Sequence, residues 1–196
     1  MFIHKPRPSI TRVTLSQTLI PILSKLKPGK VLDVGAKNSP FLKYIPHTQY
    51  LRLDIRPDSK PDYVSDLHRL KIQNNRFDTV IATEVMEHLY NPQRAINEVY
   101  RILKPKGITV WSTRFIYKYH PDPHDYYRFT QDSLTYLFKK YKAVKIYPHG
   151  NRVTVIWQLL CSSGLGPILD LLTPFVAKIN FSDPDFPLGF VVVARK

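Results

Sequence analysis

Short apolar segments that each run into an acidic residue constrain this chain more than any other feature. Val31-Leu32-Asp33-Val34-Gly35 carries a carboxylate and ends on a glycine, the pattern of a buried parallel strand entering a tight turn. Gln49–Asp54 closes on Asp54, Tyr63-Val64-Ser65-Asp66 is a shorter version, and residues 77–82 run into Thr83 and Glu84. Helical patterns alternate with these strands. Residues 14–27 place Leu15, Leu19, Ile22, Leu23 and Leu26 at helical spacing, with a kink expected at Pro21, and Asn91-Pro92 starts a helix reaching about Leu103. Such alternation predicts an α/β fold: a doubly wound, mostly parallel sheet with helices on both faces. Ligands of these sheets sit beyond the carboxyl ends of the strands. The turn Gly35-Ala36-Lys37-Asn38-Ser39-Pro40 is therefore the candidate site. Ser39 is expected to cap a short helix that starts at Pro40, and Asn38 to supply the left-handed turn residue.

Further along, Lys104-Pro105-Lys106-Gly107 ends the helix and residues 108–111 begin a fifth strand. The loop of roughly fifteen residues behind it is too long for a plain connection. Thr130 caps a helix to about Lys140, and residues 143–147 and 189–193 read as a closing antiparallel pair. Between them, residues 153–169 are uncharged and apolar-rich but broken by Ser162-Ser163-Gly164 and Pro167. Two short helices covering the substrate side are expected there, not a transmembrane span. The layout is one domain, 1–196, with an N-terminal arm at 1–13, a core at 28–148 and a helical cover at 150–187.

Charge is the unusual bulk property. Lys and Arg number 29 against 15 Asp and Glu, a formal net charge of +14. Such a field draws RNA, an acidic lipid surface or a phosphorylated substrate, although the charge is spread along the chain. The lone Cys161 fits a reducing compartment, and the basic, proline-broken start Met1-Phe2-Ile3-His4-Lys5-Pro6-Arg7-Pro8 has no signal-peptide core behind it. A cytoplasmic protein is expected, with peripheral membrane contact as the alternative and the oligomeric state open.

Asp54 stands about 20 residues beyond the first turn, the placement that lets a carboxylate accept both hydroxyls of a ribose. A dinucleotide fingerprint needs three glycines, and here only Gly35 stands in the turn. At this point the pattern resembles the class I S-adenosylmethionine-dependent methyltransferases. Val31–Gly35 resembles their first motif, Leu53-Asp54 their ribose-binding acid, and Ser65-Asp66-Leu67 the segment that accepts from the adenine amine. Glu84-Val85-Met86-Glu87-His88-Leu89 resembles the start of their helix after strand four, and Arg101–Gly107 the turn before strand five. His124-Asp125-Tyr126-Tyr127-Arg128-Phe129-Thr130 is similar to a block in a bacterial-type subgroup of methyltransferase-11-like proteins. The resemblance covers about residues 28–148 and implies a seven-stranded Rossmann-like sheet with an antiparallel last strand. It also implies S-adenosylmethionine as cofactor, S-adenosylhomocysteine as product, and cofactor contacts from Asp33, Gly35, Ala36, Asp54, Ile55, Asp66, Leu67, Thr83 and Glu84. Lys37 departs from the pattern, standing where the family usually has a second glycine.

Methyl transfer asks a protein to align nucleophile and methyl and to exclude water, and a hydroxyl acceptor gains from a general base. The long loop offers His120, His124 and Asp125. His124 is the expected base with Asp125 orienting it or the substrate; the competing reading pairs Asp125 with Arg128 to pin the loop. Glu84, Glu87 and His88 would share one face if helical, a spacing also seen in metal-using methyltransferases, but no metal site is expected. The leading expectation is O-methylation of a small-molecule, glycan or lipid-linked acceptor. An RNA methyltransferase, with magnesium-dependent 2′-O-methylation as one form, and a degenerate non-catalytic binding domain are the alternatives.

Overall fold

The computed structural model describes residues 8–169 and 171–196. One seven-stranded sheet has the order β3-β2-β1-β4-β5-β7-β6. β1 (Lys30–Val34), β2 (Gln49–Asp54), β3 (Tyr63–Val64), β4 (Phe77–Thr83) and β5 (Leu103–Arg114) run parallel. β7 (Gly189–Arg195) is antiparallel to both β5 and β6 (Ala143–His149). The strand order reverses between β1 and β4, so Gly35 and Glu84 face each other at the switch point where α/β sheets place their ligands.

Helices cover both faces, as the periodicity predicts. On one, α1 (Ile10–Ser24) sets Leu15, Leu19 and Leu23 against Val31, Ile81, Val110 and Val191. On the other, α2 (Pro92–Ile102) buries Ala95, Ile96, Val99 and Ile102 with Phe77 and Trp111, and α3 (Gln131–Leu137) adds Leu134. Asn91 caps α2 through its side chain, with Pro92 as first residue, and Thr130 caps α3.

Several local expectations are corrected. The expected arm 1–13 gives way at Ile10, where α1 starts; Ile10 and Thr11 are buried, so this turn belongs to the core. Residues 1–7 lie outside the described residues. Ser39 does not cap a helix: it holds a φ of +43°, and the short helical turn starts later, at Leu42, without a side-chain cap. The left-handed positions are Lys37 and Ser39, not Asn38. Lys104–Gly107 is not a turn ahead of strand five, because β5 already pairs Leu103 with Phe77 and shifts register before Thr79. The cover is α4 (Arg152–Leu160) and a wider π turn over Cys161–Leu165, with further short turns behind it. Among the described residues no helix is long and apolar enough to cross a membrane.

β7 is squeezed at its start. A Cβ on Gly189 would press on the Thr113 carbonyl oxygen and lie 2.7 Å from His149 Nε2. Gly189→Ala is expected to cost about 1–3 kcal/mol and lower Tm by roughly 2–12 °C in thermal unfolding.

Candidate active site

Three strand tips build the first half of the site. Asp33 ends up buried in β1, where the Tyr50 hydroxyl donates to its Oδ2. Burial pushes this carboxyl up to about 6 in spite of that bond. Gly35 then turns the chain at φ +66°, and a Cβ there would lie 2.5 Å from Val85 Cγ2, so the turn and the segment after β4 need glycine to approach each other. Lys37 keeps a positive φ of +27°. The left-handed path is thus retained without a second glycine. Asp54, at the tip of β2, accepts from the backbone N–H of Arg56 at 3.0 Å and of Lys37 at 3.4 Å. The carboxylate is fixed, and each oxygen keeps a lone pair for a further donor. Ile55 beside it is exposed, while Ala36 and Leu67 are buried. Asp66 accepts twice at Oδ1, from His68 N at 2.9 Å and near His68 Nδ1 at 2.6 Å, and these bonds hold its pKa below the usual carboxylate range against partial burial. His68 stacks on Tyr90 with ring centroids 3.9 Å apart.

The second half stands at the ends of β4 and β5. Glu84 is not helical: it sits at φ +55°, so Glu84, Glu87 and His88 do not form one helical face. Its carboxylate is taken by Arg114 Nε at 2.5 Å and Ser112 Oγ at 3.1 Å. Arg114 therefore neutralises an internal acid and lies over the Tyr117 ring. Glu87 is wholly buried, with Thr113 Oγ1 3.2 Å from Oε2 and no hydrogen bond on Oε1 among the described residues. Burial first, and the Glu84 charge second, push its carboxyl well up, toward the neutral acid.

The loop after β5 folds back over these groups as a strap. Its backbone is tied down where Tyr126 N donates to Glu87 O at 2.9 Å and where His88 Nδ1 meets His124 O. Asp125 does not reach the His124 ring. It turns inward to His120, whose Nδ1 lies 3.0 Å from Oδ2, and takes both Arg128 nitrogens. Arg128 holds the Asp125 carboxyl down at about 2, fully ionised. His120 Nε2 then lies 4.0 Å from Glu87 Oε1, which also has Arg114 Nε at 3.6 Å, and neither atom makes a hydrogen bond among the described residues. His124 is exposed, beside Tyr126. Both histidines stand in His120-Pro121-Asp122-Pro123-His124, and adjacency in sequence points Asp125 to His124 whereas in space it meets His120. The loop reversal that brings Asp125 back to His120 has no signature in a single sequence. Glu87, His88 and His120 also place one ligand atom each within 4.8 Å of one another.

Residues 32–111 match a family model described as a methyltransferase domain. The match covers 80 of the 196 residues. Solved structures agree on the fold of this chain. An S-adenosylmethionine-dependent methyltransferase from Archaeoglobus fulgidus is 17% identical with a TM-score of 0.61, covering 94% of this chain and 92% of that one. One from Thermotoga maritima, described as a possible histamine N-methyltransferase, is 13% identical with a TM-score of 0.64 and coverages of 95% and 91%. A third, from Mesorhizobium loti, is 15% identical with a TM-score of 0.62, covering 92% and 97%. No curated protein matches this chain in sequence.

Proposed function

We propose that this chain moves the methyl group of S-adenosylmethionine to a hydroxyl oxygen, with His120 as general base. The observation that carries this is the Asp125–His120 pair. Nδ1–H donates to Lys118 O at 3.2 Å with the ionised Asp125 carboxylate 3.0 Å away, and the His120 backbone N–H donates to Asp125 Oδ2 at 3.1 Å; the proton is thus held on Nδ1 and Nε2 is left as the acceptor inside the site. Burial and the nearby Arg114 charge hold His120 below its ordinary pKa, so the ring stays neutral and ready to take a proton near pH 7.

The first half of the site fits the cofactor. Asp54 has spare lone pairs for two ribose hydroxyls, exposed Ile55 offers an apolar wall to the adenine, and Asp66 Oδ2 with Leu67 borders its amine. The Asp33–Lys37 turn, with Gly35 and Ala36, lies by the methionine part, and Thr83 and Glu84 close the crevice from β4. S-adenosylmethionine supplies a methyl on a sulfonium, an electrophile that needs no metal. The acceptor oxygen bonds to the methyl carbon as the carbon–sulfur bond breaks, and its proton passes to His120 Nε2. Neutral Glu87, 4.0 Å from Nε2, puts no second negative charge beside the leaving proton. Arg114 offsets Glu84, so the site is close to neutral around the reacting atoms.

Two measurements test this reading. Saturating S-adenosylmethionine at 100 times its dissociation constant should stabilise the chain by about 2.7 kcal/mol. Labelled-methyl transfer should then yield an ether from a hydroxyl acceptor and nothing from the deoxy analogue. No thermal shift, or equal labelling of the deoxy analogue, refutes the proposal.

The strap also roofs the cofactor crevice. Asp122 on the strap bonds Arg56 and stands 3.9 Å from Lys37 Nζ, both beside Asp54. These ions are exposed, so each link is weak. Asp122→Ala is expected to raise the cofactor dissociation rate about two- to fivefold in stopped-flow measurements, and 1 M salt should erase the difference between variant and wild type.

A further inference from the structure

A second hollow lies at the other end of the sheet tip, under the helical cover. It is a groove of about 370 Å³ between α1, the end of β6 and residues 177–183. Its walls are fastened before any ligand arrives. Gln17 Nε2 donates to Ala177 O at 3.1 Å, Asn151 Nδ2 donates to Ile179 O at 2.8 Å, and Arg152 grips Asp183 through two nitrogens. At its base His149, fully enclosed, shares a hydrogen bond with Thr14 Oγ1 at 3.0 Å.

The lining has a distinct chemistry. Although the chain carries 29 Lys and Arg, none of those among the described residues lines this groove. Its single carboxylate, Asp183, is already neutralised by Arg152. What remains is uncharged and mixed: Pro148, Ala177 and Ile179 are apolar, while Thr18, Asn180 and Ser182 are polar and their side chains make no hydrogen bond among the described residues. Phe181, 43% exposed, adds one aromatic surface. Such a lining offers a phosphate no cation among the described residues, and its open hydroxyl and amide groups disfavour a lipid chain. Hydroxyls beside one ring suit a neutral sugar, whose hydroxyls need donors and acceptors and whose C–H face packs on an aromatic.

The groove also stands in the right place. His149 on β6 pairs across β7 Gly189, and Gly189 pairs with Arg114, the residue that holds Glu84. Two strand spacings separate the groove's floor from the methyl-transfer centre, roughly 10 Å.

We propose that this groove binds a neutral carbohydrate and makes it the acceptor whose hydroxyl reaches His120. The proposal rests on the O-methylation reading for the word acceptor, but not for binding itself. The test is calorimetric titration of the full chain, without cofactor, with methyl hexosides and maltose as neutral probes and glucose 6-phosphate as the charged one. A neutral glycoside should bind, and the Asn180→Ala/Ser182→Ala double variant, altered only at exposed positions, should raise its Kd tenfold or more while Tm and cofactor affinity hold. Binding of glucose 6-phosphate alone, no neutral binding, or equal binding to the variant overturns the groove. The two readings fail separately. A glycoside that binds but is never methylated defeats the transfer reading and keeps the groove. His120-dependent methylation of a non-carbohydrate hydroxyl, with no glycoside bound, does the reverse.

Discussion

His120→Ala is expected to lower methyl-transfer turnover by about 10²–10⁴-fold, the usual contribution of a positioned general base, while the dissociation constant for S-adenosylmethionine stays unchanged. The side chain removed is one-fifth exposed and belongs to the strap, not to the crevice at β1–β3. Its loss leaves Asp125 with both Arg128 bonds, so the strap stays anchored. Asp125→Asn should act through the same ring. It exchanges the ionised carboxylate beside Nδ1 for a neutral amide, withdraws the charge that favours the protonated ring, and lowers turnover without moving cofactor affinity. His124→Ala is the control. With its ring at the surface beside Tyr126, it should retain turnover. If His124→Ala loses activity and His120→Ala does not, the roles are reversed.

Asp54→Ala is expected to weaken cofactor binding by about 1.5–3 kcal/mol, the range for hydrogen bonds to a charged group, or roughly tenfold to 150-fold in Kd. Asp54 is buried at 6% exposure, so its bonds are little diluted by water. The same change releases the N–H groups of Lys37 and Arg56, and part of the loss comes through the turn they hold. Asp54→Asn separates the two effects, because an amide oxygen can still accept one of those N–H bonds while the charge on the ribose side is gone. Equal Kd for wild type and both variants would remove Asp54 from the ribose.

Much of the scaffold was readable from local pattern. β1 and β2 begin and end where the apolar runs and their acids place them, and Asn91-Pro92 starts α2 as its chemistry requires. These features depend on neighbours in sequence. The features that escaped depend on neighbours in space. Lys37 adopts a left-handed conformation that its side chain does not advertise, because Asp54 on the next strand captures its N–H. Glu84 reads as the start of a helical face, but Arg114 and Ser112 on β5 pull its carboxylate across the sheet tip and its backbone follows. Asp125 stands next to His124, yet its charge is met by Arg128 and His120 once the loop doubles back. Ionic partners formed between separate elements decide each of these cases, and a single sequence does not record them.

The position of β6 at the far edge of the sheet has a kinetic consequence. Asp54 on β2 and His149 on β6 are five strand spacings apart in the order β3-β2-β1-β4-β5-β7-β6, roughly 24 Å. With the proposed groove as acceptor site, donor and acceptor would approach from opposite flanks, and neither entrance would be built from the other's binding residues. Random-order kinetics is the expected result, with the methyl donor able to exchange while a bound acceptor stays seated.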